Sequence, residues 1–346
     1  MAEVPSPSGH DVVRAQGPRV TVVVPVRDEA RTVRDALASL GRQTIGVGAL
    51  EVLVYDGGST DGTAEVCRGL GAALPWGRFE VRDNPLRSVQ HALNAGLVEG
   101  SGEWFAVLAG RTQLSPDYLD ACIGELERLG PSVGAGGRFV AEADGAVARA
   151  IAAVVTHRLG VGRGFRTEAT ERELPHHPFA VWRRADVLRY GGFDPGLDRN
   201  QDDEFSMRAI RRGARIVLVP GPVVRYRPRE RFRGLAAQYF QYGLWKSAVG
   251  RRHGLFPRRS FVPALTTGAA ATSLGLALSG RTRTPLLVLA GAYAAAGSAI
   301  ASSRGSSRPL TAAALAVVHL SYGLGVVVGA ARPGLVAGAI GKSRIR

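Results

Sequence analysis

The chain has 346 residues, enough for two domains, and a formal net charge of +15 carried almost wholly by arginine, since Lys246 and Lys342 are its only lysines. No basic stripe interleaved with aromatics and no zinc-ligand spacing accompanies this charge, so the reading turns from nucleic acid to an anionic membrane surface or a phosphate-bearing substrate. Cys67 and Cys122 are too few and too isolated for a disulfide framework, which fits a reducing compartment.

Residues 1–18 (MAEVPSPSGHDVVRAQGP) lack an apolar signal core and read as a disordered leader. Arg19 to Val26 is a β-branched run stopped by Pro25 and predicts a buried parallel strand. The polar turn Arg27-Asp28-Glu29 follows, and Ala30 to Arg42 then carries Val33, Leu37 and Leu40 at helical spacing. Leu50 to Val54 predicts a second strand that breaks into Asp56-Gly57-Gly58-Ser59-Thr60-Asp61-Gly62. Ligands of open α/β sheets bind beyond the carboxyl ends of the strands, so Asp56, at the last strand position, is a candidate binding carboxylate. A solvated turn in which Asp61 caps a helix starting near Thr63 is the plainer reading.

A helix over Ala64 to Leu70, a strand at Phe79 to Val81, a helix over Ser88 to Leu97 and a strand over Glu103 to Leu108 continue the alternation. This pattern predicts an α/β fold with a mostly parallel, doubly wound sheet. No Gly-x-Gly-x-x-Gly opens a helix after these strands and no Walker lysine is present, which removes the dinucleotide and P-loop readings. Gly134 to Phe179 reads as glycine-rich and irregular. His176 and His177 within it are adjacent and point in different directions, so they do not predict a metal site. A Gly-Gly-Phe-Asp turn then leads to Asn200-Gln201-Asp202-Asp203 and a predicted helix over Glu204 to Arg212. Asp202 opens that helix, where unpaired backbone N–H groups keep a carboxylate ionised; it could equally be a simple cap. Phe261 to Gly280, Pro285 to Ser302 and Leu310 to Ala331 are free of acidic and basic side chains apart from His319. Each is near the roughly 20 residues a membrane-spanning helix needs; a buried helical bundle is the alternative.

The segments VVVPVRDEA, LVYDGGSTDGT, ALNAGL and GGFDPGLDRNQDDEFSMRAIRRGARI, in that order, resemble successive motifs of family 2 glycosyltransferases over residues 19 to 260. Within that family the resemblance is to membrane-associated bacterial exopolysaccharide enzymes of the succinoglycan-biosynthesis type. It implies a GT-A fold over 19–259, a nucleoside-diphosphate sugar donor, inversion at the anomeric carbon, and Mg²⁺ or Mn²⁺. It places Pro25 and Glu29 in the first nucleotide loop, Asp56 against the base, Asn94 near the nucleotide, and the general base on Asp202 with Asp203 beside it. Gln241 and Trp245 fall where processive relatives carry Gln-x-x-Arg-Trp, although Leu244 occupies the arginine position. The aromatic cluster around Trp245 would stack on sugar, lie at a membrane interface or pack a helix.

Family members place Asp-x-Asp or Asp-x-His after the strand ending near Leu108. Alignment on Leu114-Ser115-Pro116-Asp117-Tyr118-Leu119 puts Ala109 and Arg111 at those two positions. Neither ligates a hard cation, which takes oxygen donors, so the metal is in doubt and Arg111 becomes a candidate partner for the diphosphate. The same loss would fit a catalytically silent homologue serving as a nucleotide-binding or assembly subunit. The remaining expectations are a lipid-linked or polysaccharide acceptor, no nucleic acid, and a membrane region over 260–346 with about three spans. Arg251, Arg252, Arg258 and Arg259 precede the first span and put the catalytic domain on the cytoplasmic side of the inner or plasma membrane.

Overall fold

The computed structural model describes residues 17–161, 173–254 and 260–336, so nearly all of the expected leader, with Arg258 and Arg259, lies outside the described residues. The first elements are β1 (Val20–Val26), α1 (Ala30–Gly41), β2 (Leu50–Asp56), α2 (Thr63–Ala73), β3 (Arg78–Asp83), α3 (Val89–Glu99) and β4 (Trp104–Val107). Next come β5 (Thr112–Leu114), α4 (Tyr118–Leu129), β6 (Val133–Ala141), α5 (Ala146–Val155), α6 (Arg158–Val161), β7 (Val181–Arg183) and α7 (Arg184–Arg189). The chain continues through α8 (Gln201–Arg211), β8 (Arg215–Tyr226), α9 (Phe232–His253), α10 (Phe261–Leu278), α11 (Thr284–Arg304) and α12 (Arg308–Ala331).

The strands form one sheet in the order β3-β2-β1-β4-β7-β6-β8-β5. The β3-β2-β1-β4 half is parallel, as the strand and helix alternation predicts. Its inner strands are buried on both faces, because helices cover both: every residue of β2 is buried, whereas the edge strand β3 is only half-buried, and α1 turns Val33, Ala36, Leu37 and Leu40 inward at helical spacing. From β4 onward the sheet is mixed. β7 pairs antiparallel with β4 and β6, β6 runs parallel to β8, and β5 closes the edge antiparallel to β8.

The stretch expected to be irregular holds β6 and α5 instead. Its glycines answer a packing demand: a Cβ at Gly134, Gly136 or Gly137 would stand within 3.0 Å of Trp182, His177 or the Pro222 carbonyl respectively. Here glycine marks close approach inside a sheet rather than a loop.

All three apolar tail segments are helices. The boundary expected at 259/260 does not divide the packing. One apolar cluster joins Ile151, Val154 and Val155 of α5 and Leu235 and Tyr239 of α9 to Ile300 of α11 and Ala314, Leu315 and Val318 of α12. A second joins Leu197, Leu244, Trp245, Ala248 and Val249 to Val336. Where α9 meets α12 the contact is glycine-mediated, since a Cβ at Gly243 would collide with the Tyr322 carbonyl and one at Gly325 with the Phe240 carbonyl.

Candidate active site

The loops after β1 and β2 are stitched together beyond the carboxyl ends of the parallel strands. Asp28 N–H donates to Ser59 Oγ (2.9 Å), Glu29 N–H to Thr63 Oγ1 (2.8 Å), Ala30 N–H to Asp61 Oδ2 (3.0 Å), and Thr60 N–H to Asp28 Oδ1 (2.9 Å). Asp61 therefore ties the first loop to the start of α2, where it also accepts from Thr63 N–H at 3.1 Å. Asp56 ends β2 as expected. It is 7 % exposed, and its carboxylate accepts from both the backbone N–H and the hydroxyl of Ser59. Gly58 lies in the left-handed region (φ 74°) directly against the Arg87 guanidinium, a packing that a side chain at this position would crowd.

Pro25 sits half-buried near the end of β1, in register with Tyr55, immediately before this loop. Glu29 receives a hydrogen bond from Arg111 Nε at 3.1 Å, so the parallel pairing of β1 with β4 brings the first loop and the position of the missing acidic pair together. Burial raises the Glu29 carboxyl above its usual range, and the charge and hydrogen bond of Arg111 and the charge of Arg229 offset this only in part. Any side chain at Gly110 would strike the Glu29 carboxylate. The residues at this position do not fit a hard divalent cation. Ala109 offers no donor, Arg111 is a permanent cation already turned to Glu29, and among the described residues no three His, Cys, Asp or Glu side chains converge.

The second half of the site is α8. Asn200 precedes it in the left-handed conformation (φ 61°), which Asn tolerates better than most residues. Asp202, Asp203 and Glu204 occupy its first turn and Arg208 and Arg211 its last, matching the helix dipole at both ends. The Asp202 side chain is 34 % exposed. Oδ1 accepts Asp203 N–H (2.9 Å), while Oδ2 faces His176 Nε2 at 3.6 Å. His176 Nδ1 meets Ser206 Oγ at 3.1 Å, and that hydroxyl donates to the Asp202 carbonyl. Asp203 turns the other way and pairs with Lys246 of α9. The loop before α8 is joined to α3 through Gln90 Nε2, which donates to the Pro195 carbonyl and to Asp198 Oδ1, both at 3.2 Å.

Two residues expected in the site do other work. Asn94 donates to the Phe193 carbonyl (2.7 Å) and accepts its N–H (2.9 Å), so both ends of its amide are spent clamping the Gly-Gly-Phe-Asp turn to α3. Gly96, two residues on, lets α3 close onto Val23 of β1. The motif thus shapes the site from behind. Trp245 is 4 % exposed and lies in the apolar cluster of Leu197, Leu244 and Val336, because the face of α9 that carries it is the one that packs; it does not present a sugar-stacking surface. Gln241 is exposed on α9. Sequence reasoning missed Lys246 and the pairing of His176 with Asp202. One of only two lysines in an arginine-rich chain was the available signal for the first; the second had none, since 26 residues separate the partners.

The chain matches the family model for glycosyl transferase family 2 over residues 21–191. It is 29 % identical over 314 residues to the succinoglycan biosynthesis protein ExoA of Rhizobium meliloti (strain 1021), covering 88 % of this chain and 92 % of that one. A dolichyl N-acetyl-α-D-glucosaminyl phosphate 3-β-D-2,3-diacetamido-2,3-dideoxy-β-D-glucuronosyltransferase of Methanococcus voltae is 21 % identical over 244 residues, covering 67 % of this chain and 74 % of that one. Among solved structures, the mannosyltransferase PcManGT of Pyrobaculum calidifontis, determined with GDP-Man and Mn²⁺, superposes with a TM-score of 0.60 at 21 % identity, over 91 % of this chain and 87 % of that one. This likeness concerns the fold.

Proposed function

The chain belongs to glycosyl transferase family 2, and from that premise we propose that it transfers a sugar, with inversion, from a nucleoside diphosphate to a lipid-linked or polysaccharide acceptor in cell-surface glycan synthesis. The observation that carries this reading is that Glu29, Asp56 and Arg111 all lie at or beyond the ends of β1, β2 and β4, where two loops locked to each other offer a polar rim. ExoA and the Methanococcus transferase, by their names, act in succinoglycan and lipid-linked glycan assembly, which supports the acceptor class.

In the proposed reaction the acceptor hydroxyl oxygen bonds to the anomeric carbon as the bond from that carbon to the diphosphate breaks. The hydroxyl proton passes to Asp202, and the nucleoside diphosphate leaves with the bonding electrons. Arg111 stands where family members hold a metal ligand and supplies fixed positive charge to the leaving diphosphate. Mn²⁺ accompanies the donor in the structure of PcManGT; the side chains at Ala109 and Arg111 favour a metal-independent variant here. The apolar tail supports membrane association, and Arg251 and Arg252, exposed near the end of α9, favour a cytoplasmic catalytic domain.

The test is a screen of nucleotide sugars for donor hydrolysis and transfer, run on the parent and on Asp202→Asn. The variant is expected to bind nucleotide as the parent does and to lose transfer by ~10²–10⁴-fold. Undiminished transfer would remove Asp202 from the mechanism.

A further inference from the structure

We infer that the tail crosses the bilayer twice, as a hairpin of α10 and α11, and that α12, although apolar enough to span, lies along the catalytic domain, so that residues after α12 stay on that domain's side. The inference rests on the membrane association proposed above and refines its topology.

The three helices differ in what covers them. Only 6 % of the apolar window of α10 and 17 % of that of α11 is buried, against 39 % for α12. α10 and α11 pack on α12, but the catalytic part touches it too, through α5 and α9, at points that run the length of the helix. Just before its start, Arg304 donates to the Thr156 carbonyl (3.5 Å), and Ala314, Leu315 and Val318 share a cluster with Ile151 and Val154 of α5. At its middle, His319 Nε2 meets the Leu159 carbonyl at 2.9 Å. Near its end Ser247 donates to the Val326 carbonyl (3.0 Å) and Arg251 to that of Gly329 (2.7 Å). A helix of 24 residues is about 36 Å long, and both of its ends are thus seated on one domain.

Contacts between α9 and α12 advance together along the two sequences, from Phe240 against Gly325 to Arg251 against Gly329, so the helices run side by side in the same direction. Were α12 to cross the bilayer, α9 would enter the hydrocarbon with it. That would carry in Gln238, Gln241, Lys246 and Arg251, and through Lys246 and Tyr242 it would drag Asp203 and Asn200 of the catalytic site. Arginine, lysine and aspartate are each costly at the membrane centre, so the crossing is strongly disfavoured.

The hairpin has the opposite character. From Phe261 to Ser303 the only charged residues are Arg281 and Arg283, in its turn, and Val262, Leu265, Leu278, Leu287 and Val288 are each at least 60 % exposed. α10 departs from α12 at Pro263 and Thr267, whose carbonyl and hydroxyl meet Gly323 and Leu320, and α11 returns to it at Gly297 against Ala312. Both feet of the hairpin therefore stand on the catalytic domain. Their 18 and 21 residues reach about 27 and 31 Å, close to the roughly 30 Å hydrocarbon thickness. Two crossings also put Arg251, Arg252, Arg304, Arg308 and Arg332 on the domain's side and only Arg281 and Arg283 on the other, in keeping with the positive-inside bias.

The experiment labels single cysteines in the full chain with a membrane-impermeant maleimide, in right-side-out and inverted vesicles. Cys67 and Cys122 are buried, and burial pushes the Cys67 thiol up to about 12 and raises that of Cys122, so neither competes. The reporters are Glu65→Cys on the exposed face of α2, Thr282→Cys in the hairpin turn and Gly334→Cys after α12, each first shown to retain sugar transfer. The expected result is labelling of Glu65→Cys and Gly334→Cys in one vesicle orientation and of Thr282→Cys only in the other. Gly334→Cys labelled together with Thr282→Cys would establish a third crossing and overturn the inference. All three labelled from one side would overturn it as well, by showing a hairpin that does not cross. Sedimentation separates these outcomes from failure of the underlying reading, in which the full chain stays in the supernatant.

Discussion

Lys246 of α9 closes an ion pair with Asp203, the neighbour of the candidate base, and both side chains are largely withdrawn from water, at 7 % and 15 % exposure. The pair neutralises one of two adjacent carboxylates at the start of α8 and leaves Asp202, beside His176, as the more exposed one. Removing one partner of a buried pair strands the other, at ~3–5 kcal/mol, whereas removing both is far milder. Lys246→Met is therefore expected to lose stability by about that amount, and Lys246→Met with Asp203→Asn to recover most of it. Thermal denaturation of the detergent-solubilised protein decides; equal losses in both variants would show that the pair is not what holds α9 to α8.

Arg111 bears the second prediction. If its guanidinium offsets charge on the departing diphosphate, Arg111→Ala lowers kcat by ~10²–10³, the loss seen when one oriented donor is taken from a transition state. Transfer by the parent should continue in EDTA. Strict dependence on Mg²⁺ or Mn²⁺ would mean that ligands come from residues other than Ala109 and Arg111.

Glu29 yields a pH dependence of definite sign. Because burial raises its carboxyl above the unfolded value, the folded chain holds a proton there more tightly than the unfolded chain does. Its contribution to stability is therefore fully present below the unfolded value and is lost as pH rises through the folded one. Glu29→Gln should be more stable than the parent at pH 7, with the gap closing below about pH 4, where the folded and unfolded parent are both largely protonated at this site. Urea titrations at the two pH values measure it. A buried carboxylate kept against stability is what a binding role leads one to expect.

Two glycines make a paired test of the α9 and α12 crossing. Gly243→Ala would place a methyl group on the Tyr322 carbonyl and force the helices apart, with a loss of ~1–3 kcal/mol. Gly124→Ala, in α4 with open space around it, should gain ~0.5–1 kcal/mol from helix propensity alone. If Gly243→Ala is as benign as Gly124→Ala, the close crossing is not a feature of the folded chain.

The parallel half of the sheet and the loops at its edge were legible because each strand there is a short β-branched run ending in a polar turn, signals local to a few residues. Asp56 became a candidate on that ground, Glu29 through the family resemblance, and Arg111 because the acidic pair was missing from a recognisable frame. For Asn94 and Trp245 the sequence left open what the side chains face: a motif position tells which residues matter, not whether they face the ligand or the scaffold behind it. Gly134 to Gly137 read as loop because glycine signals a turn and a crowded strand alike, and only Trp182 and His177, some 40 residues away, separate the two. That α12 keeps to the catalytic domain was equally hidden, since its composition is that of a spanning helix and only its partners differ.

The bracing of α9 has a consequence in time. On one flank α9 grips the Asp194 to Asp203 loop through Tyr242, Lys246, Arg252 and His253; on the other it leans on α12, which the ribosome makes only after α10 and α11. A nascent chain whose sheet and α9 have already emerged still lacks the α12 side of that brace. If Asp202 is the base, transfer is expected to begin only after the hairpin has been synthesised, so that a chain still in transit would not spend donor sugar.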